Sequence, residues 1–161
     1  MAEREPLNPE VRYNLALALT TSGAEEEAAA EFRQALRLKP DHASARRGLG
    51  VSLMHLDRLD DAIEELRQAV ESNRGDAEAA NNLGLAFLRK KSVTQAIEAL
   101  EQAVRANPNL IKAHSNLAQA YLRAGRAGDS RRASRRSGEL TAQERALGRA
   151  MILVQSARRR L

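Results

Sequence analysis

At 161 residues, with neither cysteine nor tryptophan and only 2% aromatic residues, the chain cannot build a disulfide framework, a zinc-thiolate site or a cysteine nucleophile. Hydrophobic residues make up 43% and are mostly Ala and Leu, strong helix formers with little strand preference, so an all-α chain forming one domain or one short repeat array is expected. The net charge of +5 is uneven: residues 120–161 hold eleven arginines, no lysine and three acids, a net of +8, which leaves residues 1–119 at −3.

Residues 1–8 read as an N-terminal tail. Their acids Glu3 and Glu5 and the lack of an apolar run do not fit a signal peptide, and no stretch of about 18 apolar residues able to span a bilayer occurs anywhere. The cytoplasm is therefore the default compartment.

From Pro9 onward the chain repeats itself. Leu15, Leu49, Leu83 and Leu117 lie 34 residues apart, each followed by a small residue (Ala16, Gly50, Gly84, Ala118) and, four positions on, by a large one (Leu19, Leu53, Phe87, Tyr121). Ala28, Ala62 and Ala96 share the interval, with Phe32, Leu66 and Leu100 after them and then Ala35, Ala69 and Ala103. Apolar spacings of three and four predict helices over 9–22, 25–38, 43–56, 59–72, 77–90, 93–106 and 111–124. Asn8-Pro9, Asp41, Asp76 and Asn109 are the expected N-caps of first helices. Ser22 to Glu25 and Ser92 to Gln95 have capping-box form for second helices, and Asp57 to Asp60 is a weaker version. Connections this short make neighbouring helices antiparallel hairpins. The units are then 9–42, 43–76, 77–110 and a degenerate 111–138.

Degeneracy shows where Ser130, Ser134 and Ser137 occupy the columns of Ala and bulky residues. On a helix over 129–137, Arg131, Arg132, Arg135 and Arg136 share one arc and the small residues the other. Two readings follow: a basic plate for an acidic partner, phosphates or nucleic acid, or a thin terminal helix packed through its small face with its arginines in water. The second is preferred, since charge runs are commonly solvated faces, and nucleic acid is the weaker partner for want of interleaved aromatics. Ser137-Gly138 should end this helix, and Thr141 to Glu144 should cap another within 139–161. That last segment carries a stripe of Leu147, Ala150, Met151, Val154, Ala157 and Leu161, widened by Ala146 and Leu153. It is expected to dock on the fourth hairpin as a cap, the alternatives being self-association through helix 141–161 or a first helix whose second half belongs to the rest of a longer protein.

Catalytic chemistry is not legible. His42, His55 and His114 are isolated from one another and from carboxylate clusters, and no phosphate-binding loop, zinc-helix or nucleophile-elbow motif occurs. No catalytic residue, metal or cofactor is assigned, and the chain is not expected to be an enzyme. His114 reads as a packing residue.

Leu83-Gly84, Ala96, Leu100, Ala103 and Pro108, with Gly23 at the first turn, resemble the motif of the tetratricopeptide repeat family, and the resemblance covers roughly residues 9–125. The family's first-helix Trp is replaced by Arg12, Arg46, Ala80 and His114, so looser packing is expected there. The resemblance implies an α-solenoid, a right-handed superhelix of stacked hairpins here ending in a C-terminal amphipathic helix. It also implies a non-catalytic adaptor that holds a peptide or helix of a protein partner against its first helices. Inward candidates are Tyr13, Leu17, Arg47, Val51, Met54, Asn81, Asn82, Leu85, Leu88, Lys112, Ser115 and Gln119. Leu17, Val51, Met54, Leu85, Leu88 and Leu122 would make an apolar floor, with Arg47, Asn81, Asn82, Lys112 and Gln119 as donors around it. Some relatives grip a peptide's terminal carboxylate; Arg47, Asn82 and Lys112 suit that pattern, whereas Val51 and Asn116 depart from it. Recurrence of Asn14, Asn82 and Asn116 in one column points instead to a structural role. A scaffold segment of a larger protein is a further alternative.

Overall fold

The computed structural model describes residues 8–158 and contains, within that range, eight helices and no strand. They are α1 (Pro9–Ser22), α2 (Glu25–Leu38), α3 (Ala43–His55), α4 (Leu59–Ser72), α5 (Ala77–Arg89), α6 (Val93–Ala106), α7 (Ile111–Arg123) and α8 (Ala127–Arg158). Each odd-numbered helix pairs with the next to form a hairpin, and α2, α4 and α6 each pack on the first helix of the following hairpin. First helices also touch one another, α1 with α3, α3 with α5 and α5 with α7. The result is the stacked array that the 34-residue interval requires.

Within a hairpin the helices approach through small residues. Ala28, Ala62 and Ala96 are wholly buried, as are Ala35, Ala69 and Ala103, and the side chains between them, Phe32, Leu66 and Leu100, fill the core. A Cβ on Gly84 would fall 2.4 Å from Leu100 Cγ, and one on Gly50 2.6 Å from Leu66 Cγ. Glycine is therefore demanded at both positions by the large residue opposite.

The turn inside each hairpin is the same device four times. Gly23, Asp57, Lys91 and Gly125 all take positive φ (81°, 59°, 63° and 74°). The residue after each donates its N–H back to the first helix (Ala24 to Leu19, Arg58 to Leu53, Ser92 to Phe87, Arg126 to Tyr121) at 2.8–3.0 Å. This is the Schellman arrangement, which satisfies carbonyls that a helix end leaves orphaned. It also explains why the capping boxes do not form. Ser22 is still inside α1 and donates its hydroxyl to Leu19 O, while Ala24, Arg58 and Ser92 begin the second helices without a side-chain cap.

Between hairpins, Asn8 and Asp76 cap as expected, accepting from Glu10 N and Ala79 N. Two other expected caps are displaced by one residue. His42, not Asp41, accepts from Ala45 N at 3.3 Å, and Leu110, not Asn109, precedes α7 because Asn107 has already turned the chain by accepting from Asn109 N.

Where the family places Trp, charge or small size substitutes. Arg12 pairs with Glu31 and Arg46 with Glu65, each partner 19 residues on. The equivalent pair in the third hairpin is Ala80 and Ala99, both buried. His114 is buried too, as is Ala133 19 residues on, and it donates from Nε2 to Pro108 O at 2.9 Å, the packing role expected of it.

The C-terminal region departs from expectation. No break occurs at Ser137-Gly138, and Thr141 does not cap a new helix: α8 runs through both, with Thr141 Oγ1 donating to Ser137 O as an interior threonine does. Packing against α7 reaches as far as Leu140, which is 4% exposed, and Ser137 reaches Ser115 Oγ and Ile111 O. From Ala142 to Gln155 every residue is exposed. Leu147, Met151, Leu153 and Val154 are 54–68% exposed, so the expected docking onto the fourth hairpin does not occur. A helix that continues α8 in a straight line is carried away from α7, and only a break could have folded it back. The Ala157 side chain and Leu161 of the expected stripe lie outside what is described.

Candidate functional site

Side by side, α1, α3, α5 and α7 form one wall, and the expected groove residues divide on it into three groups. The first is buried. Met54 and Leu88 are 5% and 2% exposed, and Asn81 is 2% exposed, so these three are not open to a ligand. Arg89 also donates to Met54 O and Arg123 to Leu88 O, the two arginines and the two carbonyls each one period apart. Each guanidinium thus closes the carboxyl end of the preceding first helix. At the equivalent place His55 meets Glu25 instead.

The second group is accessible but already partnered. Arg47 donates to both carboxylate oxygens of Asp76, at 2.8 and 3.1 Å. Lys112 pairs with Glu78. Asn116 donates to Asn81 Oδ1 at 2.9 Å, and Asn81 in turn leans on Asn82 at 3.5 Å. Ser115 bonds to Ser137 and so belongs to the seam with α8. Arg47, Lys112 and Asn116 tie neighbouring first helices together, Arg47 through the N-cap of α5. Their charges are spent on neighbouring carboxylates, which disfavours capture of a peptide's terminal carboxylate.

The third group is apolar and reachable: Tyr13, Val51 and Leu85 half-buried, Leu17 41% and Leu122 64% exposed, with Gln119 exposed beside them. Tyr13, Leu17 and Val51 come together with Thr20 and Arg47 around a hollow of about 180 Å³ between α1 and α3. Phe32 forms its floor, and Tyr13 braces that ring at 6.0 Å while stacking obliquely on His42 at 4.9 Å. The hollow exists because of Gly48. Its column otherwise holds Asn14, Asn82 and Asn116, and a Cβ at Gly48 would lie 2.4 Å from Phe32 Cζ. The repeat pattern points to four of the walls, Tyr13, Leu17, Arg47 and Val51, but not to Phe32 or Gly48; the one glycine interrupting an Asn column is the available signal.

On the opposite side, a larger hollow of about 630 Å³ lies between α4 and α6, but its walls are the ends of Arg67, Glu71, Arg74 and Arg105 over Val70 and Leu83. Among the described residues no group of three or more His, Asp or Glu is placed to hold a metal ion, and no helix is long and apolar enough to cross a membrane.

The basic plate lies on α8. Arg132 pairs with Asp129, and Arg136 with Glu139 and Asn109. Arg131 and Arg135 point to solvent. Asp129, held by the Arg126 guanidinium and by Arg132, has its carboxyl below the usual range. Near it, Tyr121 is buried against α6 with its hydroxyl donating to Glu101 at 2.7 Å, and burial followed by that carboxylate pushes its phenol up to about 12.

Two tetratricopeptide repeat models match the chain, one over residues 2–40, 26–77 and 56–111, the other over residues 87–151. Among solved structures, a crystal structure of MamA is similar with a TM-score of 0.81 at 24% identity, covering 88% of this chain and 83% of that one. MamA from Desulfovibrio magneticus RS-1, residue 41 to the end, gives a TM-score of 0.79 at 28% identity over 88% and 80% of the two chains. An RS-1 MamA double mutant gives 0.80 at 28% over 89% and 80%. These likenesses speak to the fold. No curated protein matches the chain.

Proposed function

The chain belongs to the tetratricopeptide repeat family, and from that premise we propose a non-catalytic scaffold that takes an extended or helical segment of a protein partner along its first helices. The observation that carries this reading is the hollow behind Gly48. At about 180 Å³ it is smaller than the pockets that enclose whole small molecules, about 300 Å³ and above, and suits one apolar side chain of a longer ligand. Its apolar floor and aromatic brace have the character of an anchor pocket. Leu85, Gln119 and Leu122 extend the same wall along α5 and α7.

The arginine plate has a different explanation. Ile63 and Ile97, at 8% exposure each, pack toward the following hairpin from α4 and α6, and their column in α8 holds Arg131. A guanidinium there makes the end of the stack polar, which a solenoid terminus needs.

Panning a random peptide display library against the protein tests the proposal. Selected peptides should share an apolar anchor, and Leu17→Asp or Val51→Asp should weaken them at least tenfold while the melting temperature holds. Binding that survives both substitutions and disappears in Arg131→Glu/Arg135→Glu would move the site to α8.

A further inference from the structure

Three positions of α1 lie on one face at spacings of four and three: Val11, Leu15 and Ala18. Their counterparts one, two and three periods on are covered. The first column reads Val11 50% exposed, then Ala45, Ala79 and Ala113 at 0%; the second reads Leu15 43%, then Leu49, Leu83 and Leu117 at 1–7%. Ala18 is exposed, while Ser52, Ala86 and Ala120 are buried. What differs is the neighbour. The helices α3, α5 and α7 each receive the preceding second helix, and nothing among the described residues plays that part for α1.

The missing partner has a known signature, because α4 and α6 show what a second helix presents to the hairpin after it. Next to the Ala that packs inside its own hairpin, each carries Ile with Val seven residues further: Ile63 and Val70, Ile97 and Val104. In α8 those columns fall on Arg131 and Gly138, so its proximal half cannot continue the stack. Sixteen residues later the pattern returns as Ala146-Leu147 and Val154, on the part of the helix that projects into solvent with Leu147 66% and Val154 54% exposed. Among the described residues, α1 thus has no preceding second helix against it, and the distal half of α8 has no first helix against it.

We infer that the distal half of α8 docks on α1 of a second copy, occupying the place of the preceding second helix and joining copies head to tail. The interface continues, between molecules, the one already repeated within the chain. Charge agrees with it: residues 141–158 hold three arginines and one glutamate, residues 8–38 five glutamates and three arginines, so the two surfaces attract. Because the contact is heterologous, it propagates rather than closing on itself unless the rotation happens to complete a ring. This inference is independent of the groove, since neither surface includes the Gly48 hollow.

Sedimentation velocity over a range of concentrations tests it with two exposed-site variants. Leu15→Glu disables the receiving face and Val154→Glu the inserting one; both leave the core intact, and matching circular dichroism and melts establish that each is folded. Wild type should grow beyond a dimer as concentration rises, each variant alone should remain monomeric, and an equimolar mixture of the two should form one-to-one dimers that grow no further. The inference is overturned if wild type stays monomeric, if the mixture stays monomeric, or if Leu15→Glu associates as wild type does, the last showing distal helices paired with each other.

Discussion

Replacing Gly138 with alanine separates a continuous α8 from the break that its local sequence suggests, because the two arrangements give opposite signs. In α8 this glycine is mid-helix, without positive φ, and a Cβ built on it meets nothing within 4 Å. Alanine then replaces a residue that is about 0.8–1.0 kcal/mol worse in a helix interior, with no steric cost. Stability should rise by about 1 kcal/mol, equivalent to about 2–4 °C for a chain of this size, and ellipticity at 222 nm should increase. Were Gly138 instead the left-handed residue closing one helix, alanine would lose about 1–2 kcal/mol. Gly125 supplies the control: it does take φ of 74° and also has open space around it, so Gly125→Ala should lower the melting temperature. Thermal melts of both variants decide the matter. A fall in melting temperature for Gly138→Ala comparable to that of Gly125→Ala would refute the uninterrupted helix and with it the projecting apolar face.

Two further outcomes are expected. Leu83→Ala should cost about 2–5 kcal/mol as a core truncation, whereas Leu15→Ala, in the same column but 43% exposed, should cost less than about 1 kcal/mol in dilute solution; equal losses in urea titrations would contradict the coverage described for α1. In a Tyr13→Phe variant, absorbance at 295 nm should report Tyr121 ionising with a midpoint near 12, and Glu101→Gln should bring the midpoint down. A folded value above the usual 10 means that the Tyr121 contribution to stability is complete below pH 10 and is lost as pH rises toward 12.

The apolar hollow between α1 and α3 was legible in outline, and the pairing of the polar residues around the first helices was not. Tyr13, Leu17 and Val51 were identified because first helices of stacked hairpins must line one side and these positions point there. The pattern makes Arg47, Lys112 and Asn81 donors facing a ligand, yet Asp76 and Glu78 already meet the two cations, and Asn81 is buried with its oxygen accepting from Asn116. Those partners lie roughly thirty residues away in sequence. Periodicity places a residue on a face without saying what the next repeat sets against it. Phe32 was missed for the opposite reason. It belongs to a second helix and reaches the groove only through the space left by a single glycine.

By itself the sequence determined the helices, the hairpins and their stacking, because a constant interval between Leu, Ala and Gly columns has one economical solution: equivalent side chains packing against equivalent neighbours. Tertiary structure alone decided which members of a column are covered. Leu15 and Leu83 are chemically identical and differ in whether, among the described residues, a preceding helix covers them. It also decided that α8 continues through Ser137-Gly138, where weak local stop signals yield to packing of Ser137 and Leu140 against α7. Local propensities there are worth about 1 kcal/mol each, less than burial of a large side chain at about 1.5–3 kcal/mol, and so the long-range contacts prevail.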